Sequence, residues 1–192
     1  MLELIAGLLL LLGTHSIVIV RPEWRRQAVA RWGEPQWKLA YALLSLLGLW
    51  LIVQGYAAAR INPVVLYHPP VWSRHLMLLL MVPVFTLLLA TYLPGRIQHA
   101  TKHPMLVAVK IWALAHLMAN GTLADVLLFG GFLAWAVADR ISLKRRDPGV
   151  VSVPGAPPSP WNDRIAILVG LLLYLVFLFW AHYWLFGRSP LE

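Results

Sequence analysis

The 192-residue sequence contains no cysteine, and charged residues make up only 12% of it. Without cysteine the chain cannot form disulfides, iron–sulfur clusters or thiolate-ligated haem, and it cannot attach a c-type haem covalently. A soluble domain of this length needs far more polar surface than these few charges supply. Any bound metal or haem would therefore rely on histidine, carboxylate or methionine side chains.

Apolar residues take up most of the chain. Hydrophobic residues make up 60% of it, and several apolar runs approach the roughly 20 residues that a helix needs to cross a bilayer. We therefore predict an all-α, polytopic transmembrane helical bundle with about six spans. Five spans lie in a membrane domain over residues 1–146, at about 2–20, 37–58, 71–92, 104–120 and 123–141. A flexible, proline-rich loop is predicted at 147–161, and the sixth span and the C-terminus at 162–192.

The basic residues predict the orientation of the chain, because Lys and Arg are enriched in the cytoplasmic loops of membrane proteins. With the N-terminus outside, twelve basic residues fall on the inner side (Arg21, Arg25, Arg26, Arg31, Lys38, Arg96, Lys102, Arg140, Lys144, Arg145, Arg146 and Arg164) and three on the outer side (Arg60, Arg74 and Arg188). We expect an N-out, C-out, multi-pass protein of the bacterial inner (cytoplasmic) membrane, in contact with membrane lipids. Nucleic acid is not an expected partner despite the net charge of +8, because no soluble module remains to bind it.

Local signals mark where two of the spans end and begin. Pro104 suits the first position of a helix, and Asn120-Gly121 is a helix stop. The stretch from Thr122 to Asp125 resembles a capping box for the next helix. We therefore predict a tight antiparallel hairpin between the spans at 104–120 and 123–141.

Other features concern packing and the membrane surface. Pro83 lies inside the third span and predicts a kink. Gly130, Ala134 and Ala138 recur every four residues and predict a flat face for packing against another helix. The connector at 21–36 is basic and rich in tryptophan, which predicts a segment at the membrane interface.

Two histidines deep in the predicted spans lead to the functional hypothesis. His15 and His116 are the deepest of seven, and an ionisable side chain in hydrocarbon is costly enough to indicate function. Their spans run in opposite directions and helical side chains tilt toward the N-terminus, so the two imidazoles approach a common depth. Two neutral imidazoles from facing helices suit axial ligation of haem b, with His15 and His116 as the metal ligands. A structural, hydrogen-bonded histidine pair is the alternative, and zinc lacks a third and a fourth ligand.

Four further residues are candidates for the same cofactor site. Trp112 can pack one turn below His116, and Asn120 can orient the imidazole from one turn above. Lys110 can snorkel to the cytoplasmic surface or neutralise a haem propionate. His103 lies 13 residues, or about 20 Å of helix, before His116, so the two cannot hold one ion. The alternative interpretations are capping and snorkelling to the headgroups for His103, and helix packing for Trp112 and Asn120.

A longer pattern includes these residues. The sequence carries His15-Ser16 followed by Arg21, then Trp32-Gly33, Lys102-His103-Pro104, W-A-L-A-H-L-M-A-N-G over 112–121 and L-L-F-G over 127–130. The pattern resembles the NnrU family over most of residues 1–146. The resemblance implies a membrane protein associated with denitrification, that is, with nitrite and nitric oxide reduction. The family is in turn similar to the 15-cis-ζ-carotene isomerase of plants, a haem b membrane enzyme.

The likeness to the isomerase implies roles for single residues. Histidines matching His15 and His116 are its axial haem ligands, and a histidine matching His103 is also shared. The implied activity is redox-gated cis–trans isomerisation of a polyene lipid. One position departs, because the isomerase has a cysteine three residues before its second ligand and this chain has Ala113. A redox-driven exchange of histidine for thiolate is therefore unavailable here.

Two functions of different classes remain open. The first is a haem b membrane protein that acts on, or senses, a lipid-soluble polyene or nitric oxide, with no catalytic residue and no redox partner assigned. The second is a non-enzymatic membrane accessory or assembly factor for denitrification enzymes, in which the histidines are structural. A transporter is a weaker third, because the sequence shows neither an inverted repeat with broken helices nor a carboxylate at mid-membrane.

Overall fold

Eight helices make up the part of the chain that the structure describes. The computed structural model describes residues 1–145 and 155–191, and these are all-α apart from one isolated antiparallel bridge between Val65 and Thr122. The helices are α1 (Leu2–Val20), α2 (Pro22–Trp32), α3 (Glu34–Ala59), α4 (Val71–Ala90), α5 (Arg96–Thr101), α6 (Pro104–Ala119), α7 (Leu123–Leu143) and α8 (Asn162–Phe186). The predicted all-α class is confirmed.

Five of these helices, α1, α3, α4, α7 and α8, are long and apolar enough to cross a membrane. They expose large apolar side chains such as Leu43, Leu46 and Trp50 of α3. Lipid suits such a helix, because its apolar side chains can face hydrocarbon and its backbone polar groups are paired within the helix. α6 is apolar but has 16 residues, which span about 24 Å against a hydrocarbon core of about 30 Å. The chain is thus a multi-pass membrane protein with five long spans, and a sixth crossing by α6 stays a prediction.

Several predicted boundaries differ from those in the structure. α3 begins at Glu34, three residues before its predicted start, with Pro35 in its first turn, where proline is well tolerated. The predicted connector at 21–36 contains a helix of its own, α2, which begins at Pro22. Of the loop predicted at 147–161, residues 147–154 lie outside the described residues, and 155–161 contain no helix.

The described residues form two compact units. Residues 1–68 and 120–145 form unit 1, which contains α1, α2, α3 and α7. Residues 69–119 and 155–191 form unit 2, which contains α4, α5, α6 and α8. The predicted hairpin would join α6 of unit 2 to α7 of unit 1, so it stays a prediction.

Unit 1 is built on a close approach of α1 and α3. A Cβ atom on Gly7 of α1 would lie 2.6 Å from the backbone nitrogen of Ile52. A Cβ atom on Gly55 of α3 would collide with the backbone of Leu4, and Gly48 makes a third contact of this kind with α1. Glycine at these positions therefore lets the two helix backbones touch.

α7 packs on α1 through a face that the sequence did not predict. A Cβ atom on Gly131 would lie 3.5 Å from Cδ1 of Leu12, which is ordinary van der Waals contact. On the predicted face, Gly130 has open space beside it, and Ala134 and Ala138 are exposed. The prediction of that packing face is wrong, because a regular spacing of small residues marks a flat stripe but does not identify which stripe meets a neighbour.

The connector after α3 is tied to the start of α7. The backbone N–H groups of Leu66 and Tyr67 donate to the carbonyl oxygen of Gly121 at 2.8 and 3.1 Å, and the N–H group of Leu123 donates to the carbonyl of Val64 at 2.8 Å. A side chain at position 121 would collide with the carbonyl oxygen of Tyr67. The predicted helix stop is confirmed. Because position 121 is glycine, the backbone at Tyr67 can also approach it closely.

Asp125 closes the same junction from the side of α7. Its backbone N–H donates to Oγ1 of Thr122 at 3.3 Å, and its Oδ2 accepts from the backbone N–H of Thr122 at 2.9 Å, which confirms the predicted capping box. The Tyr56 hydroxyl of α3 donates to Oδ1 at 2.5 Å, and Asp125 is 4% exposed. Nearby, desolvation and the negative Asp125 raise the pKa of Tyr67, whose hydroxyl donates to the carbonyl of Asn120.

Unit 2 is organised around α4. Val84 and Leu87 of α4 form a buried cluster with Ala108 of α6. A Cβ atom on Gly170 of α8 would lie 2.5 Å from Oγ1 of Thr86, so α8 also approaches α4 closely. α4 runs unbroken from Val71 to Ala90 with its proline inside it, as predicted, while the kink stays a prediction.

The start of α8 holds the connector between α4 and α5. The Asp163 carboxylate accepts from the backbone N–H groups of Arg96 and Ile97 at 2.8 and 3.1 Å, at the start of α5. The Asn162 side-chain amide donates to the carbonyl oxygen of Pro94 at 2.8 Å. Two adjacent residues of α8 thus supply three of the hydrogen bonds that hold this connector and the start of α5.

Candidate functional site

The two candidate ligands lie on helices of different units. His15 lies on α1 of unit 1, five residues before the end of the helix. His116 lies on α6 of unit 2, three residues before the end and thus in the last turn. α6 ends at Ala119, one residue before the predicted end at 120, so the predicted position of His116 along its helix is nearly unchanged.

The His15 imidazole is oriented by its own helix. Its Nδ1 lies 2.8 Å from the carbonyl oxygen of Leu11, one turn earlier. A carbonyl oxygen only accepts, so Nδ1 carries the proton and Nε2 carries the lone pair of the neutral ring. The imidazole is therefore held in the tautomer that presents Nε2 to a metal or to a hydrogen-bond donor.

The neighbours of His15 bond to the helix in the same way. The hydroxyl groups of Thr14 and Ser16 donate to the carbonyl oxygens of Leu10 and Leu12, each at 2.6 Å. Three consecutive polar side chains thus bond to carbonyls four residues earlier. This local satisfaction lets a polar stretch lie inside an apolar helix without partners from another helix.

Aromatic rings from two other helices flank His15. Its ring centroid lies 5.0 Å from that of Tyr41 on α3 and 6.0 Å from that of Trp135 on α7, the latter edge-on at 86°. The ring centroid of Trp37 lies 6.2 Å from that of Tyr41, and the ring centroid of Trp24 on α2 lies 6.1 Å from that of Trp37. His15 therefore lies at the inner end of an aromatic cluster that extends to α2.

His116 has a similar bond to its own helix. Its Nδ1 lies 2.8 Å from the carbonyl oxygen of Trp112, and the two ring centroids are 5.5 Å apart at 50°. The prediction that Trp112 packs one turn from His116 is confirmed. Ala113, three residues before His116, is fully buried.

The remaining predicted site residues lie around the two ends of α6. Asn120 follows the last residue of α6, and its carbonyl oxygen accepts from the Tyr67 hydroxyl at 2.6 Å. Lys110 is half-buried in the middle of the helix. The carbonyl of His103 accepts from the N–H group of Val107 at 3.2 Å, which puts His103 just before the first turn. The cofactor roles of Asn120, Lys110 and His103 stay predictions.

Among the described residues, one buried polar atom near His15 has no hydrogen-bond partner. Nε1 of Trp135 is buried, and the described residues offer it no hydrogen-bond acceptor. Over the same part of the chain, no group of three or more His, Cys, Asp or Glu side chains comes together as a metal site.

Tyr41 and Trp135 were missed from the sequence, although their depth gave a signal. Counted from the helix ends that border basic residues, His15, Tyr41 and Trp135 lie five, seven and eight residues inside α1, α3 and α7. Helices that enter the membrane from one side bring such residues to one level. A search for aromatic residues at the level of His15 would have found both.

The helices and the two histidines define a class: this is a multi-pass α-helical membrane protein with histidines in its apolar helices. A model of the NnrU family, described as NnrU protein, matches residues 3–190, and the chain therefore belongs to the NnrU family. The match includes α8, which lies beyond the resemblance over residues 1–146. No curated protein and no solved structure matches the chain.

Proposed function

We propose that this member of the NnrU family binds haem b, with His15 and His116 as axial ligands. One observation carries the proposal: each of the two histidines donates its Nδ1–H group to the backbone carbonyl four residues earlier. Histidines that ligate metals usually donate their other ring N–H group in this way, because the bond fixes the tautomer and the direction of the ring. The two side chains share this bond through Nδ1.

The chemistry of the available donors fits a haem. Neutral imidazole is a common axial ligand of haem and brings no charge into an apolar surrounding. The chain has no cysteine, so thiolate is not among the donors. Tyr41 and Trp135 supply flat aromatic surfaces beside His15 that suit a planar group. When bound, the haem supplies a one-electron couple inside the membrane.

The other candidate residues would hold the haem and its ligands in place. Trp112 fixes His116 through its carbonyl group and covers one side of the imidazole. We assign Lys110 to a haem propionate, whose charge a lysine can neutralise, and Asn120 to the orientation of His116. His103 belongs to the start of α6, about 20 Å along the helix from His116, and takes no part in ligating the same iron.

Family membership supports a role in denitrification, in the metabolism of nitrite and nitric oxide. The enzymatic form of the proposal is redox-gated cis–trans isomerisation of a polyene lipid, supported by the resemblance to the haem-dependent isomerase. A haem protein that senses nitric oxide shares the same ligands. Ala113 replaces the cysteine of the isomerase, so in this chain any gating must proceed without a thiolate.

A non-enzymatic accessory or assembly factor is the second candidate. The observation that favours it is the run of local bonds made by Thr14, His15 and Ser16, which satisfies a histidine without any cofactor. In that case both imidazoles are structural and the purified protein carries no haem. The absorption spectrum described below separates this candidate from the first.

Absorption spectroscopy tests the haem directly. Protein expressed with ample haem and purified in detergent should show a Soret band, and a pyridine haemochrome assay should identify haem b. His15→Ala and His116→Ala should each abolish the six-coordinate spectrum. His182→Ala is the matched control, because His182 also bonds a carbonyl through Nδ1 but lies only partly buried near the end of α8.

Each outcome separates the candidates. The absence of a Soret band overturns haem binding and favours the accessory factor. Wild-type spectra in both deep-histidine variants overturn the ligand assignment while leaving haem binding intact. Lipid extracts of the purified protein, analysed for a retained polyene and for a change of its geometry after chemical reduction, test the isomerase form.

We further propose six crossings, with N-out and C-out orientation in the bacterial inner membrane. The distribution of basic residues supports it, and α6 would cross with local thinning of the bilayer because of its length. The lack of cysteine allows single-cysteine labelling without background. In spheroplasts, Asn62→Cys should react with an impermeant maleimide, and Lys144→Cys should react only after permeabilisation. If Lys144→Cys reacts from outside, α6 does not cross.

A further inference from the structure

We propose that Trp135 is a further cofactor-binding residue, whose indole N–H group donates a hydrogen bond to a carboxylate of the haem that His15 ligates. The inference rests on the proposed function, because it names one more contact to the same group. It adds a residue from α7 to a site otherwise derived from the two histidines.

The first observation is a donor without an acceptor. Nε1 of Trp135 is buried, and in residues 1–145 and 155–191 no hydrogen-bond partner reaches it. Folded proteins rarely leave a buried N–H group in this state, because it has lost its hydrogen bond to water and gained none in exchange. A bound group that brings an acceptor atom would satisfy it.

The second observation is the position of this donor. The Trp135 ring stands edge-on to His15, with centroids 6.0 Å apart. The His15 Nδ1–H group is already bonded to the carbonyl of Leu11. The described residues contain no hydrogen bond between Nε1 of Trp135 and His15. An unused donor and an unused lone pair thus lie side by side in unit 1 without satisfying each other.

A haem would satisfy both groups. The lone pair of His15 would bind the iron, and the strong acceptors that remain on haem b are the two propionate carboxylates. A hydrogen bond to a charged carboxylate is stronger than one between neutral groups, so a single indole N–H group contributes measurably to retention.

The test removes the N–H group while keeping the ring. Trp135→Phe is the simple variant, and replacing Trp135 by benzothienylalanine, which has sulfur in place of N–H in a ring of the same shape, avoids a packing defect. Trp50→Phe is the control, because Trp50 lies in the same unit and is exposed on α3. Haem transfer to an excess of apomyoglobin should be roughly tenfold faster from either Trp135 variant and unchanged from Trp50→Phe.

A second measurement reports on the indole itself. Ultraviolet resonance Raman difference spectra, wild type minus the benzothienylalanine protein, isolate the bands of Trp135 that respond to hydrogen bonding. These bands should shift between haem-free and haem-loaded protein. If the Soret band is normal but neither the transfer rate nor the bands change, the Trp135 contact is overturned and the proposed function stands. If no Soret band forms, both are overturned.

Discussion

His15 and His116 make the same local bond in different surroundings. Rings from two other helices flank His15, namely Tyr41 and Trp135. His116 lies in the last turn of α6, where Trp112, one turn earlier on the same helix, packs beside it. Helical spacing accounts for the second arrangement, whereas the first depends on how α1, α3 and α7 pack. Changes in the packing of helices should therefore disturb the surroundings of His15 more than those of His116.

The largest effect is expected where α1 and α3 touch. In Gly55→Ala the new methyl group would collide with the backbone of Leu4, which cannot rotate away. We expect a loss of about 3 kcal/mol in the free energy of unfolding, measured by denaturant titration in detergent. Gly13→Ala is the control, because nothing lies within 4 Å of Gly13 and alanine favours a helix. Equal effects of the two variants would contradict the close approach.

A smaller loss is expected at the contact between α4 and α8 in unit 2. In Gly170→Ala the new methyl group would lie 2.5 Å from Oγ1 of Thr86, which can rotate, and 2.6 Å from its backbone nitrogen, which cannot. We expect a loss of about 2 kcal/mol. Hydrogen exchange should become faster in α4 and α8 and stay unchanged in α1. Faster exchange throughout α1 would show that the units do not respond separately.

Removing one buried hydrogen bond should have a smaller effect still. Tyr56→Phe takes a donor from the Asp125 carboxylate and should destabilise unit 1 by roughly 1.5 kcal/mol. Tyr41→Phe is the matched control, because the described residues give that hydroxyl no hydrogen bond. A double-mutant cycle with Asp125→Asn should show positive coupling, and additive effects would contradict the contact.

The smallest effect is expected at Asp163, which is only partly buried. Asp163→Ala removes the acceptor for two backbone N–H groups at the start of α5 and should cost about 1 kcal/mol. Asp163→Asn should recover part of the loss, because an amide oxygen still accepts. Thermal unfolding in detergent measures both, and an unchanged midpoint for Asp163→Ala would exclude a capping role.

Signals contained within a few neighbouring residues were predicted well. The capping box from Thr122 to Asp125 involves partners within one turn, and the stop at Gly121 follows from the residue type itself, so the local order of residues is enough to define them. Trp112 beside His116 follows from helical geometry alone. The existence and class of the long helices follow from apolar length, since a helix is the simplest backbone that satisfies its own polar groups in lipid.

Contacts between helices were predicted poorly, and the membrane explains why. Lipid and protein interior are equally apolar, so a periodic pattern of hydrophobic residues does not reveal which face of a helix is covered. The stripe at Gly130, Ala134 and Ala138 looks suitable for packing, yet α7 meets α1 through Gly131. Trp135 was also missed, because in the sequence it is one aromatic residue among many.

The backbone contacts between α1 and α3 have a mechanical consequence. With Gly7 and Gly55 each seated against the opposite backbone, α1 cannot slide along α3 without a collision at one of them. A force applied to His15 along the helix axis would therefore be borne by both helices together, and Tyr41 would move with it. Lys38, less than one turn before Tyr41 on α3, would move with it.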